Sequence, residues 1–111
     1  MIVNKNKSPY DVYIGRGTKW GNPFRISFDG TRKEVIRKYI IYLLIYKREL
    51  IEEARKELKG KVMGCHCKPL PCHGDFLYVV LDETIKLPEN RNMIVEFAYN
   101  FVEEAYGKGS R

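Results

Sequence analysis

All three cysteines and both histidines of the chain lie within nine consecutive residues, 65–73. The preceding segment, 61–65, has the length and composition of a short buried strand, and residues 74–81 have the pattern of a helix. Pro71 and Asp75 occupy positions that helix starts favour. The Cys/His cluster is therefore predicted on a strand-to-helix turn. Open α/β sheets bind ligands at such turns, because strand carboxyl ends and helix amino ends converge there.

The other segments predict a small α/β fold with a short, mainly parallel sheet packed by helices. Residues 2–4 and 11–14 are rich in β-branched and aromatic residues and too short for helices, so they are predicted as strands. The sequence Thr-Arg-Lys-Glu at 31–34 is a capping box, which predicts a helix beginning at Arg32. A second helical stretch covers about 47–59, as one bent helix with the first or as a separate one. The amphipathic segment 90–106 predicts a last helix that covers the sheet.

A length of 111 residues predicts a single domain, residues 1–106, with a flexible tail at 107–111. The amino terminus lacks a signal-peptide pattern, and the longest apolar stretch, 39–46, is too short to span a bilayer. We expect a cytoplasmic protein without membrane contact, in the host cytoplasm if a virus encodes it. Three closely spaced cysteines do not make a secreted disulfide framework, so reduced thiolates that serve a metal or a reaction fit better.

Positive charge is concentrated in the first half of the chain. Residues 1–48 carry eleven Lys or Arg against three Asp or Glu, a charge of +8, whereas residues 49–111 carry nine against eleven, a charge of −2. This asymmetry indicates an anionic partner, either a phosphate-bearing small molecule or a nucleic acid. A surface rich in Lys and Glu is also typical of heat-adapted proteins, in which the charges form ion-pair networks without any ligand.

Three interpretations of the cluster fit the sequence. In the first, the cluster binds zinc, whose tetrahedral preference suits thiolate and imidazole ligands; the ligands would be Cys65, Cys67, Cys72 and either His73 or His66. A zinc ion with an open position would activate water, whereas a closed site would be structural. In the second, Cys72 is a nucleophile whose pKa is lowered by the amides of the helix start. In the third, the cysteines are small buried hydrophobic residues.

A second distinctive segment, residues 14–24, offers groups that can hold a nucleotide. Its glycines permit close approach of the backbone, Arg16 and Lys19 carry charge for a phosphate, and Trp20 has a flat face for a base. Trp20 and Phe24 can equally anchor the loop to the core. Both interpretations of this loop fit the sequence.

Three stretches together resemble the uncharacterised family called domain of unknown function 4326, found in microbes and their viruses. They are Ile-Gly-Arg-x-x-Lys-Trp-Gly-Asn-Pro-Phe at 14–24, Glu-Val-Ile-x-Lys-Tyr at 34–39 and Gly-Lys-Val-x-Gly-Cys-x-Cys-Lys-Pro-Leu-Pro-Cys-His-Gly-Asp at 60–75, and the resemblance covers about residues 2–82. The resemblance implies one shared site, made of Arg16, Lys19, Trp20, Asn22, Cys65, Cys67, Cys72, His73 and Asp75. Members of the family commonly have an aromatic residue at the position of His66, which favours His73 as the ligand.

We therefore expect a zinc-binding Cys/His site beside a basic aromatic loop that binds a phosphate-bearing ligand. In an enzymatic version, an activated water or the Cys72 thiolate attacks, Asp75 or His73 transfers the proton, and the loop cations hold the anion. In a non-catalytic version, the metal fixes the turn and the basic half binds nucleic acid through its phosphates. In a third version, the 90–106 helix docks a protein partner, and the same helix would support a homodimer.

Overall fold

The computed structural model describes residues 1–107, in which a three-stranded parallel sheet is accompanied by four helices. In chain order the elements are β1 (Ile2–Asn4), β2 (Val12–Tyr13), α1 (Arg32–Tyr46), α2 (Arg48–Glu57), β3 (Met63–Cys65), α3 (Gly74–Val80) and α4 (Arg91–Tyr106). The predicted α/β class is confirmed. The predicted tail lies outside the described residues, except for Gly107. Within the described part, no helix is long and apolar enough to cross a membrane.

β3 is the central strand of the sheet, and its neighbours are β1 and β2. Both neighbours run parallel to it, so that Met63 is opposite Ile2 on one side and Val12 on the other. Parallel neighbours end at the same edge of a sheet. The loop that follows β2 and the cysteine turn that follows β3 therefore begin side by side.

The start of α1 follows from local sequence, as predicted. Glu34 N donates to Thr31 Oγ1 at 3.2 Å, and the Glu34 carboxylate accepts from Thr31 N at 2.8 Å, which completes the capping box. The same hydrogen bonds lower the pKa of Glu34. The helical region breaks at Lys47, whose backbone angles are φ −132° and ψ 43°. α1 and α2 are therefore two helices.

One hydrophobic cluster joins the sheet and the helices. The α1 residues Tyr39, Ile40 and Leu43 are completely buried in it. α4 buries a stripe that includes Ile94 and Ala98, and this stripe packs mainly on α1. The sequence predicted instead that α4 covers the sheet. The sheet consists of very short strands and already has α3 against β1, so α1 offers α4 the longer apolar face.

Candidate metal centre and adjoining cavity

The three cysteines converge at the carboxyl end of β3. Cys65 is the last residue of the strand, Cys67 follows in the turn, and Cys72 lies just before α3. All three Sγ atoms lie within 4.8 Å of one another, and those of Cys65 and Cys72 are 2.7 Å apart. Two sulfurs on one tetrahedral zinc, bound at about 2.3 Å, are roughly 3.8 Å apart. A single ion therefore fits the trio after small side-chain shifts. No other group of metal-ligating side chains in residues 1–107 converges in this way.

Backbone amides point at two of the sulfurs. Cys67 N donates to Cys65 Sγ at 3.3 Å, and Gly74 N donates to Cys72 Sγ at 3.3 Å. Hydrogen bonds of this kind favour the thiolate over the thiol. A Cβ atom at Gly74 would lie 2.6 Å from Ile14 Cδ1. A side chain at this position would therefore require the end of the Ile14 side chain to shift.

The three thiols differ in acidity. Hydrogen bonds from the Cys65 and Cys72 thiols lower the pKa of Cys67, and the Arg32 guanidinium lowers it further. Hydrogen bonds with Cys65 and with Cys67, together with burial, raise the pKa of Cys72, and the hydrogen bond with Cys67, together with burial, raises the pKa of Cys65. Cys67 is therefore the thiol of the three that ionises most readily. A metal ion bound among the sulfurs would favour ionisation of the other two.

His73 lies buried beside the trio, with Nδ1 3.7 Å from Cys72 Sγ. Its Nε2 is 2.8 Å from the Ile14 carbonyl oxygen, so Nε2 carries the hydrogen and donates it. Burial lowers the pKa of His73, which keeps the ring neutral and leaves a lone pair on Nδ1. A nitrogen and a sulfur that share a tetrahedral zinc are roughly 3.6 Å apart. His73 is therefore the neighbouring side chain suited to be a fourth ligand, although its Nδ1 is not within 4.8 Å of all three sulfurs.

Asp75 stabilises the cysteine turn through hydrogen bonds to its carboxylate. Its carboxylate accepts hydrogen bonds from the Lys68 ammonium, from the Tyr106 hydroxyl and, at 3.3 Å, from Cys72 N. Burial raises the pKa of Tyr106, and the hydrogen bond to Asp75 raises it further, so the phenol stays protonated and donates. Asp75 does not line the cavity beside the cysteines. Through Tyr106, the end of α4 is hydrogen-bonded to the turn that carries the cysteines.

A cavity of about 310 Å³ opens beside Cys67 and Cys72. Its polar lining is basic or neutral and consists of Arg16, Arg25, Arg32, Asn22, His66 and His73. The apolar lining includes Phe24, Ile26, Phe28 and Pro71. Among the described residues, no Asp or Glu lines this cavity. An anion that entered would therefore meet positive charge without a competing carboxylate.

The loop of residues 14–24 supplies fewer cavity groups than its sequence suggests. Trp20 is only 4% exposed and packs into the core, and its carbonyl accepts a 2.7 Å hydrogen bond from the Tyr39 hydroxyl. Lys19 points away towards α2, where Nζ lies 2.7 Å from Glu53 and 2.8 Å from Glu57. Neither Trp20 nor Lys19 lines the cavity.

Arg16 and Asn22 are the predicted ligand-binding residues that the structure does bring to the cavity. The Asn22 side chain also holds the loop, since Nδ2 donates to Val35 O at 3.1 Å and Oδ1 accepts from Phe24 N at 2.9 Å. Arg16 is exposed at the cavity border. Of the four predicted ligand-binding residues, Arg16 and Asn22 therefore line the cavity, whereas Lys19 and Trp20 do not.

Sequence reasoning missed several residues of the site: Arg25, Phe28 and Arg32 at the cavity, and Tyr106 at Asp75. The position of Arg32 in the sequence could have indicated its role. It is the first residue of α1, where the helix dipole disfavours a cation, so its position indicates another use for the charge. Arg32 Nη1 donates to Pro71 O at 3.2 Å and thereby links α1 to the cysteine turn.

Comparison with known proteins places the chain in a family. The sequence model of the domain of unknown function (DUF4326) matches residues 3–83, so the chain belongs to that family, and the resemblance seen in its motifs is confirmed. The chain is 39% identical over 88 residues to the "Uncharacterized 12.4 kDa protein in nrdA-td intergenic region" of Enterobacteria phage T4. This alignment covers 77% of the chain and 80% of the phage protein. No solved structure matches the chain. The matched region contains the cysteines and the cavity arginines, whereas Tyr106 lies beyond it.

Proposed function

We propose that this DUF4326 domain binds one zinc ion through Cys65, Cys67 and Cys72, with His73 as the fourth ligand, and that the adjoining cavity holds a phosphate-bearing ligand. The observation that carries this proposal is the convergence of three sulfurs at the border of an arginine-lined cavity. Sulfur and imidazole ligands favour zinc over hard cations such as magnesium or calcium, which take oxygen ligands. Free thiols of this kind persist in a reducing compartment, so we also place the protein in the cytoplasm.

The phosphate part of the proposal is supported by the kind of charge at the cavity. Arginine presents a planar fork of donors that matches phosphate oxygens, and three arginines line this cavity. The cavity also lies where β2 and β3 end, the usual ligand position in parallel α/β sheets. A zinc ion would offset much of the thiolate charge, which would otherwise repel an anion beside Cys67.

Metal analysis of protein purified without added zinc tests the metal site. We expect about one equivalent of zinc per chain, by analogy with structural sites that bind one ion through four ligands. Cys65→Ser and Cys67→Ser should lose the zinc and melt at lower temperature, because metal binding is coupled to folding. His66→Ala is the matched control and should keep the zinc, since His66 is exposed and outside the trio. A metal-free protein whose melting curve is unchanged by a chelator would contradict the proposal.

A thiol-based activity is the second candidate, and the geometry favours Cys67 for it. The sequence pointed to Cys72, but that side chain is buried and its pKa is raised. Cys67 is partly exposed, lines the cavity and has a lowered pKa. Alkylation by iodoacetamide, read by mass spectrometry, separates the two candidates. Zinc binding predicts slow labelling until a chelator is added and then labelling of all three cysteines, whereas rapid selective labelling of one cysteine in untreated protein would favour the thiol enzyme.

Nucleic-acid binding and self-association through the 90–106 helix stay predictions. Binding of nucleic acid through its phosphates would weaken steeply with salt and ignore base identity, whereas an enzyme would turn over a free nucleotide with saturation. Titration with single-stranded DNA at two salt concentrations, beside an assay for nucleotide turnover, distinguishes these outcomes.

A further inference from the structure

The loop on the far side of the cavity carries an exposed aromatic ring. Phe28 lines the cavity, yet its side chain is 84% exposed. The loop that presents it is closed by hydrogen bonds: Arg25 N donates to Asp29 Oδ2 at 2.8 Å, and Ser27 N donates to Gly30 O at 2.8 Å. Phe28 is therefore held at the cavity border by a well-bonded turn.

The backbone of this loop is unusual at the residue before the ring. Ser27 has a φ of 81°, in the left-handed region that residues with side chains rarely occupy. Residues with strained backbone angles are common at ligand-binding sites, where the surrounding structure holds them in place. An exposed phenylalanine alone is ordinary. Here the strained residue, the 84% exposed Phe28 ring and the cavity coincide, and no aromatic ring among the described residues pairs with that of Phe28.

We propose that the phosphate-bearing ligand is a mononucleotide whose base stacks on Phe28 while its phosphate is held by Arg16 and Arg32. This inference rests on the proposed function and specifies its ligand. The cavity lining has the two parts that such a ligand needs, arginines for the phosphate and apolar side chains, including Ile26 and Pro71, for the base. Stacking of bases on aromatic rings is a common source of affinity and tolerates different bases.

The size of the cavity sets the limit on the ligand. About 310 Å³ is at the small end of ligand-binding pockets. It accommodates one base and its sugar phosphate, whereas a dinucleotide or a longer strand would extend well beyond the lining residues. A ribose phosphate without a base would meet the arginines but would leave the exposed ring uncovered.

Calorimetric titration of the purified protein, residues 1–111, with AMP, GMP, CMP and UMP, each compared with ribose 5-phosphate, tests the inference. We expect the nucleotides to bind about tenfold more tightly than ribose 5-phosphate, because only they can stack. Phe28→Ala should remove that difference, and Phe28→Trp should preserve it. Tyr46→Ala is the matched control, because Tyr46 is also an exposed aromatic residue, 65% exposed, and does not line the cavity; it should change neither affinity.

The possible failures are distinct. If nucleotides and ribose 5-phosphate bind equally well, or if Phe28→Ala leaves the difference intact, the stacking inference is overturned while the phosphate site stands. If neither nucleotides, ribose 5-phosphate nor inorganic phosphate binds to zinc-loaded protein, the inference and the phosphate part of the proposed function both fall.

Discussion

The Cys/His turn, residues 65–75, and the loop of residues 14–24 face each other, yet they use their distinctive residues in different ways. In the turn, the three cysteine sulfurs lie within 4.8 Å of one another, and Cys67 and Cys72 also line the cavity. In the loop, Trp20 fills the core and Lys19 pairs with glutamates of α2, so that its conspicuous residues mainly build the fold. An unusual cluster of residues therefore indicates a functional site when its side chains line a cavity. It indicates a structural role when those side chains pack in the core or form ion pairs with neighbouring elements.

Replacing Trp20 should have the largest effect on the loop side of this comparison. Trp20→Ala removes a nearly buried ring, and we expect it to lower the free energy of unfolding by about 3–5 kcal/mol. Phe28→Ala, the control, removes an exposed ring and should change that free energy by less than about 0.5 kcal/mol. Urea unfolding followed by circular dichroism measures both. A stable Trp20→Ala protein that fails to bind nucleotide would assign Trp20 to the ligand and reverse the comparison.

On the turn side, Tyr106→Phe tests whether α4 holds the metal site in place. Loss of the hydroxyl removes a hydrogen bond to the Asp75 carboxylate, and we expect a destabilisation of about 1–2 kcal/mol. Zinc should also pass more quickly to a chromophoric chelator, because the turn loses a support. Tyr99→Phe is the matched control on the same helix, since its ring, stacked near Arg37, is retained. Unfolding at lower urea with an unchanged rate of zinc release would limit Tyr106 to a role in packing.

Arg16→Ala should affect binding and spare the fold. Arg16 is exposed at the cavity, so we expect affinity for AMP to fall about tenfold, the usual loss for a charged hydrogen bond. The free energy of unfolding should change by less than about 0.5 kcal/mol. Lys19→Ala removes the same charge from the same loop but not from the cavity, and should leave the affinity unchanged. Equal losses in the two variants would show that general charge, and not the cavity, attracts the ligand.

The smallest effect is expected for Lys19→Ala on stability. Its ion pairs with Glu53 and Glu57 are solvent-exposed, and the pKa of Lys19 is raised by hydrogen bonds to these carboxylates. Exposed pairs contribute little and are screened by salt. The variant should melt slightly below the parent protein at low ionic strength and together with it in molar salt. A large difference that persists in salt would mean that Lys19 has a packing role.

Local features were the most predictable from the sequence. The capping box at Thr31 gave the start of α1 correctly, because both of its hydrogen bonds join residues three positions apart. The cysteine cluster was visible for the same reason, since all three cysteines lie within the eight consecutive residues 65–72. The break at Lys47 was undecided, because neither Gly nor Pro marks it.

Distant contacts were the least predictable. Tyr106 reaches Asp75 across 31 positions and comes from a helix beyond the family match, so no local pattern connects them. Phe28 in isolation looks like an ordinary core residue, and Trp20 like a ligand platform, until the packing of α1 decides which ring is buried. Side-chain exposure depends on the whole fold, and for that reason the cavity and part of its lining, such as Arg16 and Asn22, could be expected but Phe28 could not.

The central position of β3 has a consequence for synthesis of the protein in the cell. Among the described strands, β1 and β2 pair only with β3, which the ribosome delivers later. At about 5–20 residues per second, the nascent chain spends several seconds with two strand edges exposed. Cys65 ends β3 and is also a proposed zinc ligand, so capture of the metal and closure of the sheet would occur at one place. If the proposed zinc site forms, removal of the metal would therefore also weaken the hold on β3 between its two neighbours.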